Sequence, residues 1–238
     1  MENATYSTLT RQSGLMREMR IVANNIANSA TTGYRAEGVI FSEHIAALGP
    51  DAPSLSMANS AVRETSLTQG SLTQTGGPLD IAIEGDGFFL IETPQGERLT
   101  RAGAFTPNEN GDLVTPEGHQ VLDAGGAPVF IPAGAGPIGI APDGTVSAGG
   151  QPVGQIGLVR PIDPNSMIRE DGVRFHARSG FEEATGARML QGFLEESNVN
   201  PILEVSRMIE VQRAYELGQS FMDKEDERIR GAIRALGK

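Results

Sequence analysis

The last forty or so residues, Glu195 to Lys238, open on the LEESNVNP block and continue as an uninterrupted helical pattern to the end. Asn200 followed by Pro201 reads as a helix cap and first helical residue. The side-chain oxygen accepts a free backbone N–H, and proline lacks an N–H that would go unpaired there. Beyond the cap, Met208, Tyr215, Met222, Ile229 and Leu236 recur every seven residues. A neighbouring column holds Val205, Gln212, Gln219, Asp226 and Ile233. One seam is apolar throughout and its neighbour is polar in the middle, which is too thin and too polar for a dry two-helix seam. Such a helix either packs on its own domain or is completed by other helices.

The opposite end carries a second long helix. Over residues 3–30, Leu15, Met19, Val22 and Ile26 fall on one face at helical spacing, with Leu9, Met16 and Ala23 beside them. Arg11, Arg17, Glu18 and Arg20 sit mainly on the other side. The stop is abrupt: Asn24, Asn25 and Asn28, then Ser29, Thr31, Thr32 and Gly33. Asn and Gly tolerate left-handed backbone, and Ser and Thr offer hydrogen bonds that compete with the helix.

Between these ends the pattern changes. Tyr34 to Leu48 is ambiguous, and residues 49–66 read as extended polar linker with weak β character. From Gly70 the period becomes two. Strands are expected at Leu79–Glu84 and Phe88–Glu92 around a Gly85-Asp86-Gly87 turn, and again at Glu97–Thr100. Short strands follow at 113–115, 120–122, 128–131, 138–141, 145–147 and 155–160, separated by Gly-, Pro- and Asn-rich turns. They are too short for βαβ units. Residues 172–194 read as extended chain returning to the last helix. The expected fold class is α+β: long N- and C-terminal helices forming a coiled-coil-like pair, with an inserted antiparallel all-β domain. The expected segments are 1–33 (helical assembly), 34–70 (extended linker), 71–185 (β domain) and 186–238 (return and helical assembly).

Charge and composition narrow the function. The net charge is −11, and residues 41–180 carry 16 acidic against 7 basic side chains, a balance of −9. With no long basic run, nucleic acid and anionic membranes are poor partners. Near-balanced ends suit packing against similar ends, whereas an acidic middle suits solvent. The absence of cysteine excludes disulfides, thiol catalysis and Cys-based zinc sites. No cleavable secretory signal is visible in MENATYSTLT, and no apolar run reaches membrane-spanning length.

The candidate catalytic features are weak. Gly134 to Gly139 matches GxGxxG, but Pro137, Pro142 and Gly144 follow where a phosphate-binding helix is needed, so the segment reads as a turn. His44, His119 and His176 lie in separate segments without metal-ligand spacing. Asp223, Glu225, Asp226 and Glu227 read as a solvated helix face balanced by Arg228 and Arg230. Glu84 and Asp86 read as turn residues facing water. No catalytic, cofactor or metal site is expected, and no cofactor.

Four separated blocks carry a resemblance. Ala23-Asn24-Asn25-Ile26-Ala27-Asn28 with Thr31-Thr32-Gly33-Tyr34 resembles the N-terminal signature of the bacterial flagellar axial proteins of rod and hook. Gly76 to Phe89 (GGPLDIAIEGDGFF) is similar to their central motif, and Gly103 to Asn108, Gly111 to Thr115 and Gly118 to Leu122 continue it. Leu194 to Pro201 and Gln212-Arg213-Ala214-Tyr215-Glu216 resemble the C-terminal signature. The blocks span nearly the whole chain in order, and the size of the single β domain is most like the proximal-rod members. The resemblance implies a structural subunit of the basal-body rod, located in its periplasmic part. It implies terminal helices that pair and pack on neighbours and a torque-bearing role. It also implies export by the flagellar type III apparatus without a cleavable signal. Its partners would be copies of itself and the proximal and distal rod proteins, with no nucleic acid and no membrane insertion. Candidate interface residues are Leu15, Met19, Val22, Asn25, Ile26 and Asn28 at one end, and Val205, Met208, Tyr215, Met222, Ile229 and Leu236 at the other. The competing reading is a dimeric adaptor whose β domain recognises a ligand.

Overall fold

The computed structural model describes residues 2–46, 55–134 and 136–236, and is α+β. Residues 47–54, inside the stretch expected as linker, lie outside the described residues, as does the side chain of Leu236. The chain divides into two compact units, residues 1–27, 37–66 and 200–238 in one and 28–36 and 67–199 in the other.

The first unit contains α1 (Glu2–Ala27), α2 (Pro201–Leu236) and an antiparallel pair, β1 (Glu37–Ala46) with β2 (Leu55–Thr65). Helix α1 buries Gln12, Gly14, Glu18, Ile21, Val22 and Asn25, a spacing that returns to one face each turn. Helix α2 starts as the sequence expects. The Asn200 Oδ1 accepts from the N–H groups of Ile202 (3.1 Å) and Leu203 (3.3 Å), with Pro201 at the first helical position. The ambiguous and polar stretches after α1 are not idle chain where described: ten- and eleven-residue strands pair over their length, with a register shift between Ile40 and Phe41.

The second unit holds all the other strands. Its principal sheet has the order β14-β15-β6-β5-β9-β8-β7: β5 is Phe88–Thr93, β6 Gly96–Thr100, β7 Thr106–Pro107, β8 Leu113–Val114, β9 Gln120–Leu122, β14 Met167–Asp171 and β15 Arg174–Ala177. Strand β13 (Leu158–Pro161) pairs with β5 and with β16 (Phe181–Glu183). Smaller sheets join β3 (Leu72–Gln74) to β18 (Phe193–Glu195), β4 (Ile81–Glu84) to β17 (Arg188–Gln191), and β10 (Ile138–Ile140), β11 (Thr145–Ala148) and β12 (Gln151–Gln155) in series. Every pairing is antiparallel. Residues 172–194, expected as a bare extended return, instead contribute β15 to β17 and the start of β18. Residues 128–131 form only isolated bridges, because Pro128 and Pro132 interrupt the ladder.

Strand β5 explains the continuous FFLI run. Phe89 and Ile91 enter one core with Ile81, Ile83, Phe105, Leu113 and Val121; Phe88 and Leu90 enter a second with Leu99, Val159 and Phe175. Alternate side chains point to opposite faces, so a strand covered on both sides must be apolar at every position. Phe89 meets Phe105 edge to face at 5.1 Å, and Phe88 meets Phe175 at 5.9 Å.

Two measurements test this packing. A Cβ on Gly103 would stand 1.7 Å from the Ile81 carbonyl oxygen. Gly103→Ala therefore costs about 1–3 kcal/mol of β-unit stability, seen as an earlier midpoint in urea unfolding followed by circular dichroism. Second, hydrogen bonds hold three carboxylates below their ordinary range: Glu84 from Arg188, Glu170 from Arg98 and Asp143 from the Thr145 N–H. Their folded-state pKa values lie below the unfolded ones, so their contribution is present above the ordinary values of 4.5 and 3.8 and disappears as pH falls below them. A pH series of urea midpoints should be flat above that range and drop beneath it.

Candidate assembly site

Within the second unit, three passages of chain meet at one buried carboxylate. Glu195, from the LEESNVNP block, is 1% exposed, and two arginines close on it. Arg35 Nη2 lies 2.9 Å from Oε1, and Arg101 Nη1 donates to Oε2 at 3.1 Å. The Gly70 N–H donates to Oε1 at 2.9 Å, and the Gly33 N–H donates to the Glu195 carbonyl at 2.7 Å. Other arginine donors reach backbone, while Arg35 Nε and Arg101 Nε are buried without a hydrogen-bond partner among the described residues. Arg101 bonds the carbonyls of Ile83 (3.2 Å) and Gly85 (2.6 Å), and Arg35 bonds that of Thr68. Burial pushes the Arg101 guanidinium down to about 10 against the opposing pull of Glu195, and lowers Arg35 for the same reason. At that value Arg101 still carries its charge at neutral pH.

Asn198 completes the junction. Its Nδ2 donates to the Thr68 carbonyl (2.8 Å), its Oδ1 accepts from the Ala36 N–H (2.6 Å), and its own N–H reaches the Tyr34 carbonyl (3.3 Å). Tyr34 is fully buried, with the Arg169 guanidinium over its ring at 4.4 Å and over Phe175 at 4.6 Å. Arg169 also donates to the Arg35 carbonyl. Two positions leave no room for a side chain: a Cβ at Gly70 would lie 2.0 Å from the Glu196 carbonyl oxygen, and one at Gly33 2.3 Å from the Ala102 nitrogen. Gly33 also has φ +71, which L side chains rarely adopt. The carboxylate is fully engaged with fixed donors, so the arrangement ties chain segments together and offers no reactive group.

Within the first unit, α1 and α2 run antiparallel, as three cross-helix bonds show. Gln12 Nε2 donates to the Tyr215 carbonyl (2.8 Å), Arg207 Nε to Glu18 Oε1 (2.8 Å) and Asn25 Nδ2 to Glu204 Oε2 (3.2 Å). Asn25 also imitates a strand residue. Its Nδ2 donates to the Glu37 carbonyl (2.8 Å), and its Oδ1 accepts the Glu37 N–H (3.0 Å). A Cβ at Gly218 would come within 2.5 Å of Gln12 Nε2, so this helical glycine makes room for the buried carboxamide.

The expected interface residues divide. Val22 and Asn25 are buried, and Leu15, Met19, Ile26, Met208, Tyr215 and Met222 are half-buried. Val205 and Ile229 are exposed, and Leu236 is helical. Asn28 lies in the second unit, in the turn after α1, where Thr31 donates to it at 3.2 Å. The column shielded beside Met208, Tyr215 and Met222 is Glu204, Val211, Gly218 and Glu225, on the opposite side from the Val205 column that the sequence suggests. The signal for it was Gly218, a glycine kept inside a long helix. Sequence reasoning also passed over Arg35, Arg101 and Glu195 as a group. They lie far apart in the chain, and Arg35 shows only as the residue after the Thr31–Tyr34 block.

Comparison with known families agrees with this geometry. Residues 6–35 match the family model described as flagella basal body rod protein. Residues 82–148 match the flagellar hook protein FlgE/F/G D1 domain, and 190–235 the flagellar basal body rod FlgEFG protein C-terminal. Helical ends around an antiparallel β unit, with the signature blocks built into a buried junction, define a flagellar axial protein. Over its whole length the chain is 43% identical to the flagellar basal-body rod protein FlgF of Caulobacter vibrioides and 41% identical to that of Mesorhizobium japonicum, covering 99% of each. The flagellar basal-body rod protein FlgG of Bacillus subtilis is 31% identical over 95% of this chain and 96% of its own. The chain belongs to the FlgF-type family of flagellar basal-body rod proteins. The family is structural and not enzymatic, and its place is the flagellar basal body. The adaptor reading finds no support in these matches, and no described helix is long and apolar enough to cross a membrane.

Glu195→Gln leaves two buried guanidiniums around a neutral amide. Removing one partner of a buried ion pair costs about 3–5 kcal/mol. Urea unfolding of the full chain should show a loss of that size in the β-unit transition, while an exposed control, Glu182→Gln, changes it by less than about 1 kcal/mol.

Proposed function

We propose that the terminal helices are the assembly segments of a rod subunit, and that α1 and α2 form a coiled-coil-like pair completed by neighbouring molecules. The seam runs through Glu204, Met208, Val211, Tyr215, Gly218, Met222 and Glu225, alternating steps of four and three residues. One observation carries the reading. Helix α2 is apolar on a second face that α1 does not cover: Ile202, Leu203, Val205, Ile209, Leu217 and Phe221 are all exposed. Exposed apolar side chains in such number on one helix mark an interaction surface. Contacts between unlike faces generate open helical arrays when the rotation between copies does not close, and a rod built so transmits torque.

The partners in this reading are other rod subunits and further copies of this chain. Delivery by the flagellar type III export apparatus belongs to the same reading and rests on the family alone. The segments 1–33 and 186–238 then serve assembly and 71–185 forms the β domain. Two isolated helices with Gln12, Glu18 and Glu204 in their seam are marginal in water, so neighbours supply much of their stability.

Met222→Asp should reduce incorporation into purified basal bodies at least tenfold, while circular dichroism of the purified variant keeps the wild-type β signal. Normal rods built from this variant would refute the seam.

A further inference from the structure

The second unit holds a cavity of about 470 Å³, lined only by residues of that unit. That volume lies in the range of small-molecule sites. Its lining changes character with depth. Arg35 and Arg101 form the deep side, with side chains only 1% and 3% exposed. Leu67, Pro161, Ile162 and Pro164 form an apolar wall, on which Leu67 is 40% and Ile162 60% exposed. Asp86 stands exposed at the mouth, on the turn between β4 and β5. Arg160 and Glu182 also line the cavity, and they neutralise each other through a 2.6 Å ion pair.

The deep side is short of negative charge. Two buried guanidiniums face one buried carboxylate, that of Glu195. Arg35 Nε and Arg101 Nε have no hydrogen-bond partner among the described residues. Burial lowers both guanidiniums, and Glu195 and, more weakly, Asp86 pull the other way. The Asp86 charge thus acts on both arginines, yet Asp86 makes no hydrogen bond or ion pair among the described residues. A cationic donor pole and an anionic acceptor pole therefore share one cavity without meeting, beside apolar carbon.

A ligand carrying only a carboxylate meets Asp86 as a like charge, and one carrying only an ammonium meets the arginines so. A molecule with both groups on one carbon, and an aliphatic side chain, matches all three parts of the lining. We propose that this cavity binds a free α-amino acid with an aliphatic side chain. Its carboxylate faces Arg35 and Arg101, its ammonium faces Asp86, and its side chain lies on Leu67 and Ile162. Residues inside a peptide carry neither charge, so the ligand is the free amino acid. The site goes beyond the rod reading and does not depend on it.

Equilibrium dialysis of the purified full chain tests the site, with labelled leucine as the probe. Leucine should bind saturably, one molecule per chain, with a Kd below about 1 mM. Labelled isocaproate lacks the ammonium and labelled leucinamide lacks the carboxylate. Each should bind at least about tenfold more weakly, because one charged pole of the cavity is left unmatched. Asp86→Asn should weaken leucine by a similar factor and strengthen isocaproate, from which it removes a like charge. Ile162→Asp should weaken leucine and isocaproate alike. Asp86 and Ile162 are both exposed, so the urea midpoints of these variants should match the wild type.

Three results overturn the site: no saturable leucine binding below about 1 mM, isocaproate or leucinamide bound as tightly as leucine, or Asp86→Asn shifting both acids in the same direction. None of these bears on whether the chain is found in basal bodies, so the rod reading stands or falls separately.

Discussion

A single buried carboxylate sets the geometry of the second unit. Glu195 faces Arg35 and Arg101 with all three side chains almost completely removed from water. Desolvating three charges is expensive, and their attraction offsets it only when every remaining donor and acceptor is placed. Here that condition is met in part: donors of both arginines reach the carbonyls of Thr68, Ile83 and Gly85 and the Gly70 N–H fills the carboxylate, while Arg35 Nε and Arg101 Nε stay buried without an acceptor among the described residues. Such a cluster adds less stability than well-packed hydrocarbon of equal volume. It adds register instead, because only one alignment of the 33–36, 67–70 and 195–198 passages satisfies it. Asn198 repeats the logic with an uncharged side chain, spending its donor, its acceptor and its own N–H on two different passages.

In the first unit the same economy of apolar surface has a different outcome. The α1–α2 seam holds Val22 and Val211 beside Gln12, Glu18 and Asn25, so hydrocarbon alone does not lock it. Cross-helix hydrogen bonds fix its register. Meanwhile the larger apolar side chains of α2 are left in solvent. Helix α2 thus keeps Glu204 and Glu225 half-buried in its seam while isoleucine and phenylalanine stand in solvent. That imbalance is what a subunit of an extended assembly requires, since surface covered within the molecule is unavailable to the next one.

Much of this was legible beforehand. The Asn200-Pro201 cap, the two long helices and most strands before residue 123 follow from local rules: capping chemistry, periods of 3.6 and 2, and Gly-rich turns. The signature blocks identified the family. Less legible was everything that depends on partners distant in the chain. Residues 37–46 and 55–65 are polar and weakly patterned, yet they pair as long strands. Residues 174–195 carry no strong strand signal, yet four strands form there because open ladders elsewhere in the unit need them. The seam column beside Met208, Tyr215 and Met222 was placed on the Val205 side, since hydrophobicity favours valine over Glu204. The structure leaves Glu204 half-buried, accepting from Asn25, and Val205 exposed.

The sequence by itself determined the element types at both ends, the all-β character of the middle and the family, because these rest on near-neighbour spacing and contiguous motifs. Only the tertiary structure decided which face of α2 is shielded, why Gly218 and Gly33 must be glycine, and that Arg35, Arg101 and Glu195 form one site. Those facts concern groups separated by tens to hundreds of residues. Their energies come from desolvation and close approach, and neither exists until the distant segments are brought together.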